Sequence, residues 1–399
     1  MVAPIDSSRL DVILGADALR PPLTGIGRYA YELASRLRHH HDVSRVRYFS
    51  LGRWIDDPLD GLDEKSPGNP PTGSIAVRER ATLRTRLAKS PAMVRMYGRV
   101  MPKLFGWRLR GNEKAIYHSP NYIVPPFSGR TLSTVLDLSH ILCPQFHPPA
   151  RVEYLNLTLG PSLARTDHVI AISQTVRQEI IERGLMPPER VTAIHLAADS
   201  SFRPFDLQTL EPAMQALNLR AKGYTLFVGT VEPRKNVERL IQAYERLPIE
   251  MRREWPLVIA GSQGWDSKSV HARMALAEAQ GWLRYMAFID QRWLPALYAG
   301  ARLMAYPSLY EGFGLPIVEA MACGTPVLTS STSCMPEVAA GAARLVDPLD
   351  VEAITHALAE CLDDEGWQAE ARAKGLARAA RLSWDRCVDE TIEVYKRLA

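Results

Sequence analysis

The stretch "LMAYPSLYEGFGLPIVEAMACGTPVLTS", Leu303 to Ser330, decides the fold. It opens on an apolar run, "LMAYPS", and closes on another, "TPVLTS"; both read as strands. The segment between them has visible helix ends. Pro316 suits a first helical turn and Gly324 a helix C-terminus, so the helix spans about Pro316–Cys323. A strand, a loop, a helix and a strand make the repeating unit of a parallel sheet. In such sheets ligands bind outside the carboxyl ends of the strands, and that is where the loop "YEGFG" falls. Gly312 and Gly314 let the backbone approach a ligand closely. Glu311 lies before the helix and Glu319 one turn into it. Two acids so placed can bracket a bound phosphate and take hydrogen bonds from sugar hydroxyls on each side, or they can simply favour the positive helix end. The glycines and the position after a strand favour the ligand.

The same unit recurs outward from this stretch. Upstream, "YTLFVGT" (Tyr224–Thr230) is a strand, "EPRKN" a loop, "VERLIQAYERL" a helix and "PLVIAGS" (Pro256–Ser262) the next strand; "RYMAFID" and "AARLVDP" continue the series. The loop after Gly229 places Arg234 and Lys235 side by side at a helix start. They read as a diphosphate clamp or as a solvated cationic pair. A second series fills the other half. "LDVILGAD" (Leu10–Asp17) is a buried strand, "PPLTGIG" a turn holding Gly25 and Gly27, and about Arg28–His39 an amphipathic helix. By itself "TGIG" fits a tight turn as well as a phosphate loop. "KAIYHSPNYIVPP", "TLSTVLDLSH" and "DHVIAIS" are further strands, Ser173 caps a helix from about Gln174, and "RVTAIHLAAD" closes the half. The expected organisation is two doubly wound α/β domains, residues 1–200 and 201–383, with a last helix, 384–399, docked on the first.

Composition agrees with an ordinary globular protein of 399 residues, 46% hydrophobic and 23% charged. Five scattered cysteines without a C-x-x-C pair argue against a disulfide framework or a cysteine zinc site and suit a reducing compartment. The N-terminus lacks a basic start followed by an apolar stretch, and no run of apolar residues is long enough to span a bilayer. The expected location is cytoplasmic. The net charge of +4 conceals an asymmetry: ten of the 48 basic residues but one of the 44 acids lie between Arg78 and Arg110, leaving 38 against 43 elsewhere. That segment has apolar residues at roughly helical spacing and reads as a basic patch with a partner.

The strings "GTVEPRKNVERLIQAY", "LVIAGSQGW", "LYEGFGLPIVEAMACGTPVLTS" and "MPEVAAGAARLVDP" resemble the C-terminal half of the family 4 retaining glycosyltransferases of GT-B fold. "TGIGRYAYELASRL" and "TVLDLSHILCPQFHP" are similar to their N-terminal half, nearest in character to mannosyl- and rhamnosyltransferases of bacterial O-antigen and related polysaccharides. The resemblance implies two Rossmann-like domains facing across a cleft and a nucleotide diphosphate sugar held mainly by the C-terminal one. It implies that Arg234 and Lys235 neutralise the diphosphate, that Glu319 holds the ribose, and that Glu311 with the backbone at Phe313, Gly314 and Leu315 holds sugar hydroxyls. It implies that Gly25 and Gly27 close on the phosphates, with Gly229, Gly312 and Asp137 also at the site. Two cations can stabilise a departing diphosphate without a metal, and no D-x-D run is placed for one, so metal independence and no cofactor are expected. Retention is expected by front-face attack, with a diphosphate oxygen taking the acceptor proton.

One position departs from the family. The strand ending "TVLDLSH" usually has histidine directly before the aspartate, contacting the donor sugar near its 6-hydroxyl; here it is Leu136. An inactive site, or substitution of that contact by His140, are two readings. A third is chemical: leucine suits a methyl better than a hydroxyl, since an unpaired buried hydroxyl costs about 1–3 kcal/mol. The expected donor is therefore GDP-D-rhamnose, with GDP-mannose as runner-up, and the expected acceptor a polyprenyl-diphosphate-linked glycan. The basic segment, with Arg84, Arg86, Arg95, Arg99, Lys103 and Trp107 as contacts, is expected to meet the cytoplasmic face of the inner membrane; nucleic acid is not an expected partner. A sugar-nucleotide epimerase or a binding subunit without turnover are the readings from other classes.

Overall fold

The computed structural model describes residues 9–20, 23, 25–60, 91–287 and 289–399, with side chains left out at 91–95 and 97–99. The chain divides into two compact units. The first runs to Ala171 and adds Arg177–Ala193 and Val388–Ala399; the second comprises Ile172–Val176 and Ile194–Cys387.

The first unit is built on a seven-stranded sheet of order β3-β2-β1-β4-β5-β6-β7. Its strands are β1 (Leu10–Gly15), β2 (Val43–Ser50), β3 (Arg53–Ile55), β4 (Ile116–Ser119), β5 (Arg130–Val135), β6 (His168–Ala171) and β7 (Val191–Ala193). All pairings are parallel except that of β2 with β3. The sequence reading did not foresee β2, or β3, a three-residue antiparallel edge whose side chains are all exposed. Central strands are apolar on both faces because helices cover both. The helix Gly25–Leu37 buries Tyr29, Ala30, Leu33, Ala34 and Leu37. Ser173, in the short Ile172–Val176 segment of the second unit, caps the helix Gln174–Glu182, accepting from the Val176 N–H at 3.1 Å.

The second unit carries a six-stranded sheet, β10-β9-β8-β11-β12-β13, parallel throughout. Its strands are β8 (Thr225–Val228), β9 (Leu257–Ala260), β10 (Leu283–Met286), β11 (Leu303–Tyr306), β12 (Val327–Ser330) and β13 (Ala343–Val346). The order reverses between β8 and β11, a topological switch point of the kind where open α/β sheets bind ligands. Backbone geometry at that edge demands glycine. Gly261 ends β9 at φ +153°, and a Cβ there would lie 2.0 Å from the Gly229 carbonyl oxygen.

The last helix, Trp384–Leu398, has its residues from Val388 onward in the first unit. There the Tyr395 hydroxyl meets Nδ1 of the buried His118 at 2.6 Å, and Lys396 pairs with Asp42 at 3.0 Å. No helix among the described residues is long and apolar enough to cross a membrane.

Candidate active site

β11 ends at Tyr306, and the chain turns through Pro307–Gly314 into the helix Leu315–Ala322. Gly314 has φ +87°, a left-handed conformation that glycine adopts without strain. Within this turn Glu311 is buried, with 6% of its surface exposed. Its Oε2 accepts from Arg234 at 2.7 Å; its Oε1 accepts from Lys235 Nζ at 2.7 Å and from the Tyr306 hydroxyl at 3.0 Å. Arg234 donates further to the Tyr310 carbonyl and to Glu232, each at 2.8 Å. Lys235 Nζ lies 5.0 Å from the centroid of the Tyr306 ring.

Arg234 and Lys235 come from a short turn, Pro233–Lys235, after β8. The sequence reading set them at a helix start. The helix proper is Val237–Glu245, and the two cations stand before it, turned toward Glu311. Asn236 is the pin: its amide donates to the carbonyls of Pro307 at 2.9 Å and Pro348 at 2.7 Å. The loops after β8 and β11 are thereby joined.

Burial alone would raise the Glu311 carboxyl. Arg234 first and Lys235 next outweigh it, and the group is held at about 2. Burial is the larger influence on Lys235, pushing its ammonium below the ordinary lysine value against the pull of Glu311. Two cations and two carboxylates, Glu232 and Glu311, therefore sit in mutual balance.

Glu319 is the fifth residue of its helix, in the second turn, and half-buried. Its Oε2 accepts from the hydroxyl of the fully buried Tyr298 at 2.8 Å. Each motif glutamate thus receives a phenol, from Tyr306 and from Tyr298. Sequence reasoning named neither tyrosine. Tyr306 could have been found as the last residue of a strand that leads into the candidate loop. Phe313 is buried with its ring 5.7 Å from His195. His195 Nε2 in turn meets Glu337 Oε1 at 2.6 Å, and Glu337 also accepts from the N–H groups of Gln174 and Thr175.

Gly25, Gly27, Leu136, Asp137 and His140, predicted in the N-terminal half, fall in the first unit. Gly25 opens its helix with no atom within 4 Å of a would-be Cβ, whereas at Gly27 a Cβ would stand 2.9 Å from the Ala18 carbonyl oxygen. Packing alone accounts for glycine at 27. Asp137 Oδ1 accepts from the Tyr122 hydroxyl at 3.0 Å, the Ser139 N–H at 3.0 Å and the Ser139 hydroxyl at 2.8 Å. It shapes the turn after β5. Leu136 is buried. His140 is 1% exposed, and neither ring nitrogen has a hydrogen-bond partner among the described residues. Burial, opposed by Asp137, pushes its imidazole down to about 4. Arg84 and Arg86 lie outside the described residues. Arg95 and Arg99 are in the helix Pro91–Leu109, where Lys103 and Trp107 are exposed.

Two doubly wound units, one ending its central strands in a buried Arg-Lys-Glu cluster, define a protein of the GT-B class. The description "Glycosyl transferases group 1" matches residues 213–382, and "Glycosyl transferase 4-like domain" matches residues 24–197. The O-antigen chain mannosyltransferase B of Escherichia coli is 36% identical over 98% of this chain and 100% of its own. The chain belongs to this glycosyltransferase family. Among solved structures, the sucrose-phosphate synthase of Thermosynechococcus elongatus superposes with a TM-score of 0.69 at 20% identity, covering 98% of this chain and 99% of the other. WaaG, a glycosyltransferase involved in lipopolysaccharide biosynthesis, superposes with a TM-score of 0.67 at 16% identity, covering 96% and 99%. At these identities the superpositions establish the GT-B fold alone.

Proposed function

We propose that this glycosyltransferase moves a mannosyl residue from GDP-mannose to a polyprenyl-diphosphate-linked glycan in O-antigen synthesis, with retention and without a metal ion. The observation that carries the reading is the Arg234–Lys235–Glu311 cluster at the switch point of the second unit. A diphosphate arriving there takes over the cations and leaves Glu311 free for sugar hydroxyls. Mannose is favoured over other hexoses by the full-length likeness to the O-antigen chain mannosyltransferase.

A second reading has its own observation. Leu136 stands where a family histidine would meet the sugar 6-position, which favours the 6-deoxy donor GDP-D-rhamnose. The two are separated by assaying both donors with the wild type and with Leu136→His. The first reading expects the wild type to prefer GDP-mannose, and the variant to raise the mannose-to-rhamnose ratio of kcat/KM by about tenfold, one hydrogen bond's worth. A wild type that prefers GDP-D-rhamnose replaces the first reading with the second. Sugar nucleotide epimerised in the absence of acceptor would displace both.

The acceptor's lipid sets the location: the first unit works at the cytoplasmic face of the inner membrane. Support comes from the helix Pro91–Leu109. Met96, Val100, Leu104 and Trp107 recur at helical spacing, and all four are exposed. Phe105 and Leu109, on another face, pack with Phe49 and Tyr117 in the core. The exposed stripe is flanked by the exposed Lys103 and Arg110, a combination suited to an anionic interface. Flotation with anionic liposomes is expected to recover the protein at low salt, less at high salt, and less for Leu104→Ser than for the wild type. Equal recovery of the two proteins would remove this helix from the contact.

A further inference from the structure

His195 lies two residues beyond β7, with 31% of its side chain exposed. Its ring is tilted against that of Phe313, centroids 5.7 Å apart, and Phe313 belongs to the turn that carries Glu311. We propose that His195, held by Glu337, is a further donor contact: its Nδ1 accepts a hydrogen bond from a hydroxyl of the transferred sugar. The inference rests on the proposed function for its ligand, a sugar nucleotide, and adds a residue that the sequence reading did not name.

The partners of Glu337 fix the tautomer of His195. Glu337 Oε1 meets the Gln174 N–H at 2.7 Å and His195 Nε2 at 2.6 Å. Its Oε2 accepts from the Thr175 N–H at 2.9 Å and the Thr175 hydroxyl at 2.8 Å. The carboxyl is held at about 2, so near neutral pH it is ionised and only accepts. The proton between the two side chains is therefore on Nε2. Nδ1 has no hydrogen-bond partner among the described residues, and in the neutral ring it carries the lone pair. A carboxylate that fixes one imidazole nitrogen and leaves the other for a ligand is a recurrent arrangement in enzyme sites.

A purely structural role explains less. Gln174 and Thr175 already supply both oxygens of Glu337 with donors. The segment that carries Glu337 is also tied to the donor turn. Ser333 Oγ accepts from the Glu311 N–H at 3.3 Å and donates to the Glu311 carbonyl at 2.6 Å. Ser333 itself stands at φ +54°, a left-handed conformation that is costly for serine. Glu311, Phe313 and the His195–Glu337 pair thus share one framework within the second unit, and an imidazole fixed there is fixed relative to the turn proposed to hold the sugar.

The test is calorimetric binding, to the full chain, of GDP, of whichever donor the wild type turns over, GDP-mannose or GDP-D-rhamnose, and of that donor's monodeoxy forms. Choosing the donor in this way keeps the result independent of the sugar assigned above. His195→Gln is the deciding variant, because a glutamine amide keeps an N–H for Glu337 but offers no acceptor in place of Nδ1. GDP is expected to bind the wild type, His195→Ala and His195→Gln alike. The donor is expected to bind both variants about tenfold more weakly. One monodeoxy form is expected to bind the wild type about tenfold more weakly than the full donor, yet to bind His195→Gln as well as the full donor does. Full donor affinity in His195→Gln, or the same deoxy penalties in His195→Gln as in the wild type, overturns the contact and leaves His195 as a support of Phe313.

Discussion

Arg234→Ala is expected to lower kcat/KM by about 100- to 1000-fold and to cost about 3–5 kcal/mol of stability. The two effects have different origins. For activity, Arg234 is one of two cations proposed to receive the charge of the departing diphosphate, and removing one preorganised donor of this kind typically costs that range. For stability, Arg234 is one of the two cations that hold Glu311 ionised in the protein interior. Without it Glu311 keeps Lys235 and the Tyr306 hydroxyl, but the balance of charge is lost. The double variant Arg234→Ala/Glu311→Gln separates them. It removes the excess buried charge, so its stability loss is smaller than the sum of the single losses, while its activity stays as low as that of Arg234→Ala. Urea unfolding and donor kinetics on the four proteins close the cycle. Arg234→Lys is no substitute: one ammonium cannot serve Glu311, Glu232 and the Tyr310 carbonyl together as the guanidinium does. An Arg234→Ala enzyme with near wild-type kcat/KM would remove the diphosphate role from this cluster.

The strands and helices around the site were legible because they obey local rules. The helix Leu315–Ala322 announces itself by Pro316 and Gly324, and the strands on either side by short apolar runs. Arg234, Lys235, Glu311 and Glu319 were legible as polar residues just after strands. Their mutual contact was not. Arg234 and Glu311 are 77 positions apart, and what joins them is Asn236 bonding to two distant carbonyls, a contact with no periodicity to betray it. Tyr306 and Tyr298 were hidden for a related reason: a tyrosine in an apolar run looks like core, and only the fold shows that its hydroxyl reaches a glutamate. On Pro91–Leu109 helical spacing could reveal apolar stripes but not which one faces the core. Phe105 turns inward and Trp107 outward, a distinction that belongs to packing.

Glu337→Ala is expected to cost about 2–4 kcal/mol near neutral pH, and that cost is expected to disappear in acid. The Glu337 carboxylate accepts from the Gln174 N–H at 2.7 Å, the Thr175 N–H at 2.9 Å, the Thr175 hydroxyl at 2.8 Å and His195 at 2.6 Å. Truncation removes the acceptor of all four donors at once, three of them in part-buried bonds, in a place where the carboxylate side chain is only 20% exposed. The pH dependence follows from the same contacts. Burial by itself would raise the Glu337 carboxyl; the bond from His195 and those from Gln174 and Thr175 outweigh it and hold the group at about 2, against an ordinary 4.5. A folded-state value below the unfolded one means that the stabilisation is complete above the unfolded value and is lost as pH falls through the folded one. The shift corresponds to roughly 3 kcal/mol before allowing for partial exposure. Wild type and Glu337→Ala should therefore differ most above pH 4.5, with the gap closing as pH approaches 2. Glu311 titrates over the same interval, but it is present in both proteins and cancels from the difference. Urea midpoints of the two proteins, measured at intervals from neutral pH into acid, read this directly. A gap that stays constant down to the lowest pH would mean that Glu337 acts there through its packing and not through its charge.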